Sequence, residues 1–120
     1  MLKSKIAIAE LFRQKKGFIV YPIRMSWAVR EEGNKTQLIF SVSKRNFKRA
    51  VDRNRIKRML REAYRVQQHE FLNELEENNI SLSLFVGYVG KDIVSYREIE
   101  EKINLSLKRL LKELKKNEVY

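Results

Sequence analysis

The chain has no cysteine, one proline, four glycines and one histidine among its 120 residues. Without thiols it can form neither a disulfide nor a thiolate metal site, and a reducing cytoplasm is the compartment such a chain suits. The lone His69 lies in the polar stretch "QQHEF", and a metal bound there would have to take its other ligands from carboxylates. A solvent-facing helix position is the simpler expectation. Long apolar runs are missing too. The opening "MLKSKIAIAELFRQKK" has no apolar core of signal-sequence length before charges interrupt it, and nothing approaches a membrane span. There is no Ser-His-Asp set, no H-x-x-x-H pair and no P-loop, so the polypeptide is not expected to cut a substrate by itself. The carboxylates near Glu74–Glu77 and Glu98–Glu101 read as salt-bridged helix surfaces rather than an acid–base pair.

Negative charge is the next shortage. Lys and Arg number 26 against 15 Asp and Glu, a formal net charge of +11, which makes a polyanion the natural partner. The excess is concentrated in "KRNFKRAVDRNRIKRMLREAYR", Lys44 to Arg65, where ten cations face only Asp52 and Glu62. That stretch carries +8, leaving +3 for the remainder, so the charge forms a patch.

What is present is enough for a folded domain. Hydrophobic residues make up 43% of the chain, too many for wholesale disorder and suited to one modest core over residues 1–120. Ile8, Leu11 and Phe12 recur at helical spacing after a possible N-cap at Ser4, and Gly17 ends that helix near Lys16. "FIVYPIRMSWAV" favours strands, with Pro22 marking an edge or a break between two of them. "EEGNK" reads as a turn about Gly33-Asn34, and Thr36 to Ser43 as another strand. A long helix is expected from near Arg49 or Asp52 to Glu77, ended by Asn78-Asn79. "SLSLFVGYV" reads as a buried strand and Gly90-Lys91-Asp92 as a loop. Ser95 and Glu98 form a capping box that opens a last helix from Tyr96 to about Lys115. Its buried stripe is Ile99, Ile103, Leu107, Leu110, Leu111 and Leu114. The order α-β-β-β-α-β-α implies an α+β sandwich with helices packed on one small sheet.

In the basic helix, Ile56, Met59, Leu60, Ala63 and Val66 share one arc at about 100° per residue. Arg53, Lys57, Arg61 and Arg65 follow a second arc at one-turn spacing, with Asn54 and Arg58 beside it. Lys44, Arg45, Lys48 and Arg49 extend the positive surface into the preceding loop. A helix glued down by its apolar arc would hold its guanidinium groups rigidly outward, and each planar fork can grip a phosphate with two parallel hydrogen bonds. The bland alternative is a solvated helix face. Such faces mix signs, as the last helix does by interspersing Glu98, Glu101 and Glu113 with Lys102, Lys108, Arg109 and Lys112. The Lys44–Arg65 stretch does not.

"RNRIKRMLREAYR", Arg53 to Arg65, resembles the signature of the protein subunit of bacterial ribonuclease P, whose core is R-N-R-x-K-R. "SKRNFKRAVD", Ser43 to Asp52, is similar to that family's basic entry into the helix, although many members carry Gly near the position of Phe47. The likeness runs more weakly through "LKSKIAIAELF", "YPIR", Leu82–Val89 and the capped last helix. It implies a four-stranded mixed sheet packed with three helices and containing a left-handed β-α-β crossover. It also implies a complex whose RNA subunit is the catalyst, removing the 5′ leader of precursor tRNA in the cytoplasm. The protein would bind no cofactor alone, magnesium would come through the RNA, and neither a membrane nor an obligatory protein partner is implied. Carried over by position, Arg53, Asn54, Arg55, Lys57, Arg58 and Arg61 are the first candidates for RNA contact, supported by Lys44, Arg45, Lys48, Arg49 and Arg65.

A leader is single-stranded, and single strands are held by stacking bases on aromatic rings in a basic groove. Phe12, Phe18, Tyr21 and Trp27 are the candidates for such a wall, with Trp27 expected to be partly exposed. Phe40, Phe71 and Phe85 read as core. Two other readings remain at this stage. One is a ribosomal or RNA-assembly protein docking duplex RNA; the other is a DNA-binding helix-turn-helix, for which no short partner helix precedes the basic one.

Overall fold

Alternate residues of "IRMSW" are apolar, and a strand sends alternate side chains to opposite faces, so Ile23, Met25 and Trp27 go inward together. The computed structural model describes residues 16–30 and 36–117. Within them lie β1 (Gly17–Val20), β2 (Ile23–Arg30), β3 (Gln37–Val42), α1 (Ala50–Arg65), α2 (Gln68–Glu77), β4 (Ser81–Tyr88) and α3 (Tyr96–Asn117). The helix expected from Ser4 and the turn at Gly33-Asn34 lie outside the described residues.

The four strands form one mixed sheet in the order β1-β2-β4-β3. β2 pairs antiparallel with both β1 and β4, while β3 runs parallel to β4. Parallel neighbours need a crossover, and α1 and α2 supply it between β3 and β4. Pro22 falls between β1 and β2, where Tyr21-Pro22 makes the tight connection through a cis peptide bond. The α+β sandwich with a four-stranded mixed sheet is therefore the observed architecture.

The helices cover one sheet face. Leu82, Leu84 and Val86 of β4 meet Ile56 and Leu60 of α1 and Ile99, Ile103 and Leu110 of α3 in a single core. β4 is central and buried, as its continuous apolar run implied. On α3 the expected stripe is inward, with Leu111 half-buried at its margin. Ser95 opens that helix, its Oγ accepting the amide of Glu98.

Three expectations need correction. The long helix is two, because the backbone turns at Val66 and Gln67. Gln67 bridges the break, its side-chain amide donating to Ala63 O at 2.9 Å and to Glu100 O of α3 at 3.0 Å. Val66, placed on the apolar arc, is 49% exposed at the break; Tyr64, one turn after Leu60, is buried instead. Phe85 lies on the sheet face opposite the core and is half-buried, whereas Phe40 and Phe71 pack with the core around Tyr64. The end of α2 is as expected. Asn79 adopts φ 54°, which Asn tolerates, and the amides of Asn79 and Ile80 bond back to Glu76 O and Leu75 O in a Schellman cap.

Burial raises the Tyr64 phenol from 10.0 to about 12, and its hydroxyl has no hydrogen-bond partner among the described residues. The folded state keeps that proton where the unfolded chain releases it. Its contribution to stability is complete below about pH 10 and is lost as pH rises towards about 12. Tyr64→Phe is expected to remove this alkaline loss. It should match or exceed the parent stability at neutral pH, because an unpaired buried hydroxyl disappears. Urea midpoints of the two proteins at about pH 7 and about pH 11 measure the difference.

Candidate nucleic-acid interface

The basic surface is built on a fixed loop. Ser43 Oγ accepts the amides of Arg45 and Asn46, and Ser43 O accepts that of Phe47, so the chain leaving β3 coils at once. The Asn46 amide reaches across to Val89 O and Gly90 O at 3.5 and 3.3 Å. Gly90 has no room for a side chain: a Cβ there would meet Pro22 Cβ at 2.9 Å. Phe47 is a buried anchor whose ring lies 5.9 Å from that of Tyr88. Lys44, Arg45, Lys48 and Arg49 are exposed on this braced loop.

α1 then lies against β3 and α3 through Ile56, Leu60, Ala63 and Tyr64. Its outer side presents Asn54, Arg55, Arg58 and Arg61, all exposed, and the half-buried Lys57. None of these cations has an ion-pair partner among the described residues. An unpaired cationic face on an anchored helix costs self-repulsion, and a bound polyanion removes that cost.

Arg53 behaves differently from its motif neighbours. Its Nη1 donates to Phe47 O and to Lys48 O, both at 2.8 Å, and the residue is half-buried. It fastens the basic loop to the helix through the carbonyls of Phe47 and Lys48. Arg49 Nε stands 3.9 Å from Asp52, a loose exposed pair. Arg65 is committed as well: its Nε and Nη2 grip Glu62 Oε2 and Oε1 at 3.0 and 2.6 Å. That hydrogen-bonded fork lowers the Glu62 carboxyl below its usual range and raises Arg65 in turn. Sequence spacing would equally allow Glu62 to pair with Arg58, four residues earlier. Arg65 takes the carboxylate away and leaves Arg58 free to act. α2 then reverses the sign, carrying Glu70, Glu74, Glu76 and Glu77, so the field is steeply polar along the crossover.

Among the described residues, Phe18, Tyr21 and Trp27 do not line one open wall. Trp27 is only 3% exposed, packed edge-on against Phe18 at 5.7 Å on the helix-covered side of the sheet. Phe18 is itself capped by the Arg109 guanidinium, 4.4 Å from the ring centroid. Tyr21 stands apart at the β1–β2 connection, 61% exposed, and Phe12 lies outside the described residues. The alternation that buries Ile23 and Met25 also buries Trp27, and that signal was present in the sequence. His69 is exposed on α2. Among the described residues no cluster of acidic or histidine side chains could hold a metal, and no helix is long and apolar enough to cross a membrane.

An outward row of unpaired guanidinium groups on a helix glued to an α+β core defines a polyanion-binding protein. A family model described as Ribonuclease P matches residues 1–116, and the chain belongs to that family. It is 34% identical over 105 residues to the ribonuclease P protein component of Porphyromonas gingivalis strain ATCC 33277, covering 86% of this chain and 77% of the relative. The fold is similar to that of the Staphylococcus aureus RNase P protein, with a TM-score of 0.70 at 19% identity over 86% of this chain and 87% of the other. It is similar also to the Thermotoga maritima RNase P protein, with a TM-score of 0.67 at 19% identity over 85% and 89%. Membership sets aside the ribosomal and helix-turn-helix readings and makes this an RNase P protein component, consistent with a role in tRNA 5′ processing.

Proposed function

We propose that the ridge formed by Arg55, Arg58 and Arg61, with Lys44, Arg45 and Lys48, docks this protein on the catalytic RNA of ribonuclease P. In this reading the RNA carries the bond cleavage and the protein helps it remove the 5′ leader from precursor tRNA. The observation that carries the proposal is the ridge itself: exposed guanidinium groups without ion partners among the described residues, on a helix whose opposite side is core. Docking neutralises phosphate repulsion within the RNA, which lowers the magnesium the RNA requires, the ion being held by phosphate oxygens. The leader strand, in the same reading, lies along the sheet face opposite the helices. That face carries the exposed Arg24, in register with Gly87, and beside it Ser26, Phe85 and Ile39, in register with one another.

The test is leader removal from precursor tRNA as magnesium is varied. The protein alone is expected to be inert, and the RNA with protein to reach half-maximal cleavage at lower magnesium than the RNA without it. Identical magnesium curves with and without the protein would defeat the proposal.

A further inference from the structure

Between α1 and the start of α3 lies an open depression of about 430 Å³, lined by Arg55, Arg58, Met59, Glu62 and Tyr96. Its volume falls within the range of small-molecule sites, roughly 300–1,000 Å³. A solvated helix face does not require this lining. Arg55 and Arg58, three residues apart, project from the same side of α1 and lack ion partners among the described residues. Met59 supplies an apolar floor, half-buried against the core. Tyr96 comes from the first turn of α3, where Ser95 caps the helix and the ring packs partly on the core. Burial first, and then a hydrogen bond to Glu100, push its phenol above the ordinary tyrosine value.

Glu62 at the rim would spoil a simple phosphate site, yet Arg65 holds both its oxygens and offsets its charge. Each oxygen retains a second lone pair that can accept an N–H from a base edge.

We infer that this depression is a nucleotide pocket: it takes one unpaired nucleotide of the RNA partner, the phosphate on Arg55 and Arg58 and the base against the Tyr96 ring. An unpaired nucleotide fits better than duplex RNA, because paired bases are stacked within the helix and present neither a free face nor an open edge to a concave site. The inference rests on the RNA-docking reading and adds a base contact that the ridge alone does not require.

The experiment measures affinity for the catalytic ribonuclease P RNA at several salt concentrations. Tyr96→Leu should bind about tenfold more weakly, the scale of one lost base stack, with an unchanged salt slope because no charge is removed. Tyr96→Phe, which keeps the π face, should recover that loss. A photo-crosslinking benzophenone side chain at position 96 should label a single unpaired RNA position, and one at position 69 should not. The inference is overturned if Tyr96→Leu binds like the parent, or if crosslinks from position 96 are absent or spread along duplex. Should Tyr96→Leu melt early, the crosslink pattern decides. Arg61→Ala separates the two levels, since its loss of affinity with Tyr96→Leu silent would leave the ridge standing and remove only the pocket. If Arg61→Ala binds normally as well, the docking reading itself falls.

Discussion

Leu60→Asp is expected to abolish the folded state at room temperature, while the neighbouring cations tolerate replacement. Leu60 is fully buried on the inner side of α1, in the same core as Ile56, Leu84 and Ile103. A carboxylate there would have neither water nor a cationic partner, since the arginines of α1 point the other way. Burying an unpaired charge costs several kcal/mol, comparable with the roughly 5–15 kcal/mol that holds a whole domain together. The chain must then unfold, or it must protonate the new side chain and still lose the packing of a leucine. Leu60→Ala isolates the packing loss, about 2–5 kcal/mol, and should stay folded with a lowered midpoint. Met59→Asp, at a half-buried position, should cost less than Leu60→Asp because its carboxylate can turn to solvent. Far-ultraviolet circular dichroism on heating distinguishes them. A cooperative, near-parental melt for Leu60→Asp would mean that α1 does not rest on the sheet by this side, and that the outward ridge is wrongly placed.

Local patterns in the chain explain most of the scaffold. The α3 stripe from Ile99 to Leu114 repeats at helical spacing with a serine cap in front, and both features act over neighbouring residues. The stop at Asn78-Asn79 is similarly local, since one asparagine can take the left-handed conformation the cap demands. The break at Val66-Gln67 is different. It contains no glycine or proline, and a partner for Gln67 is a carbonyl of α3, 33 residues away, which no short window contains. Tyr64 and Trp27 differ again: each continues an apolar spacing visible in its neighbours, and each is buried although its ring carries a polar atom. Within the ridge, sequence identified the cations but not their allegiances. Arg53 and Arg58 look alike in the motif, yet one is tied to the loop backbone and the other is free among the described residues. That distinction depends on the path of Ser43 to Arg49, which is set by Asn46 reaching Gly90 and by Phe47 packing on Tyr88. The depression under Tyr96 joins segments far apart in the chain, so nothing local announces it.

Replacing Arg55, Arg58 and Arg61 together by Ala should nearly eliminate binding to the catalytic RNA while leaving the melting curve almost unchanged. All three are exposed, and none has an ion pair among the described residues. A charge-assisted hydrogen bond is worth roughly 1.5–3 kcal/mol, so three lost contacts weaken affinity on the order of a thousandfold. The salt slope should fall by roughly two to three units, one counterion no longer being released per missing guanidinium group. Overall charge alone makes a competing prediction, because the change from +11 to +8 weakens attraction to any polyanion. The control is therefore Arg97, Lys108 and Lys112 replaced by Ala, which removes the same charge from exposed positions of α3. A ridge that grips phosphates one by one loses far more in the first triple variant than in the second, in both affinity and slope. If the two triples bind equally, the protein is attracted to RNA by its total charge, and the orderly row along α1 is incidental to recognition.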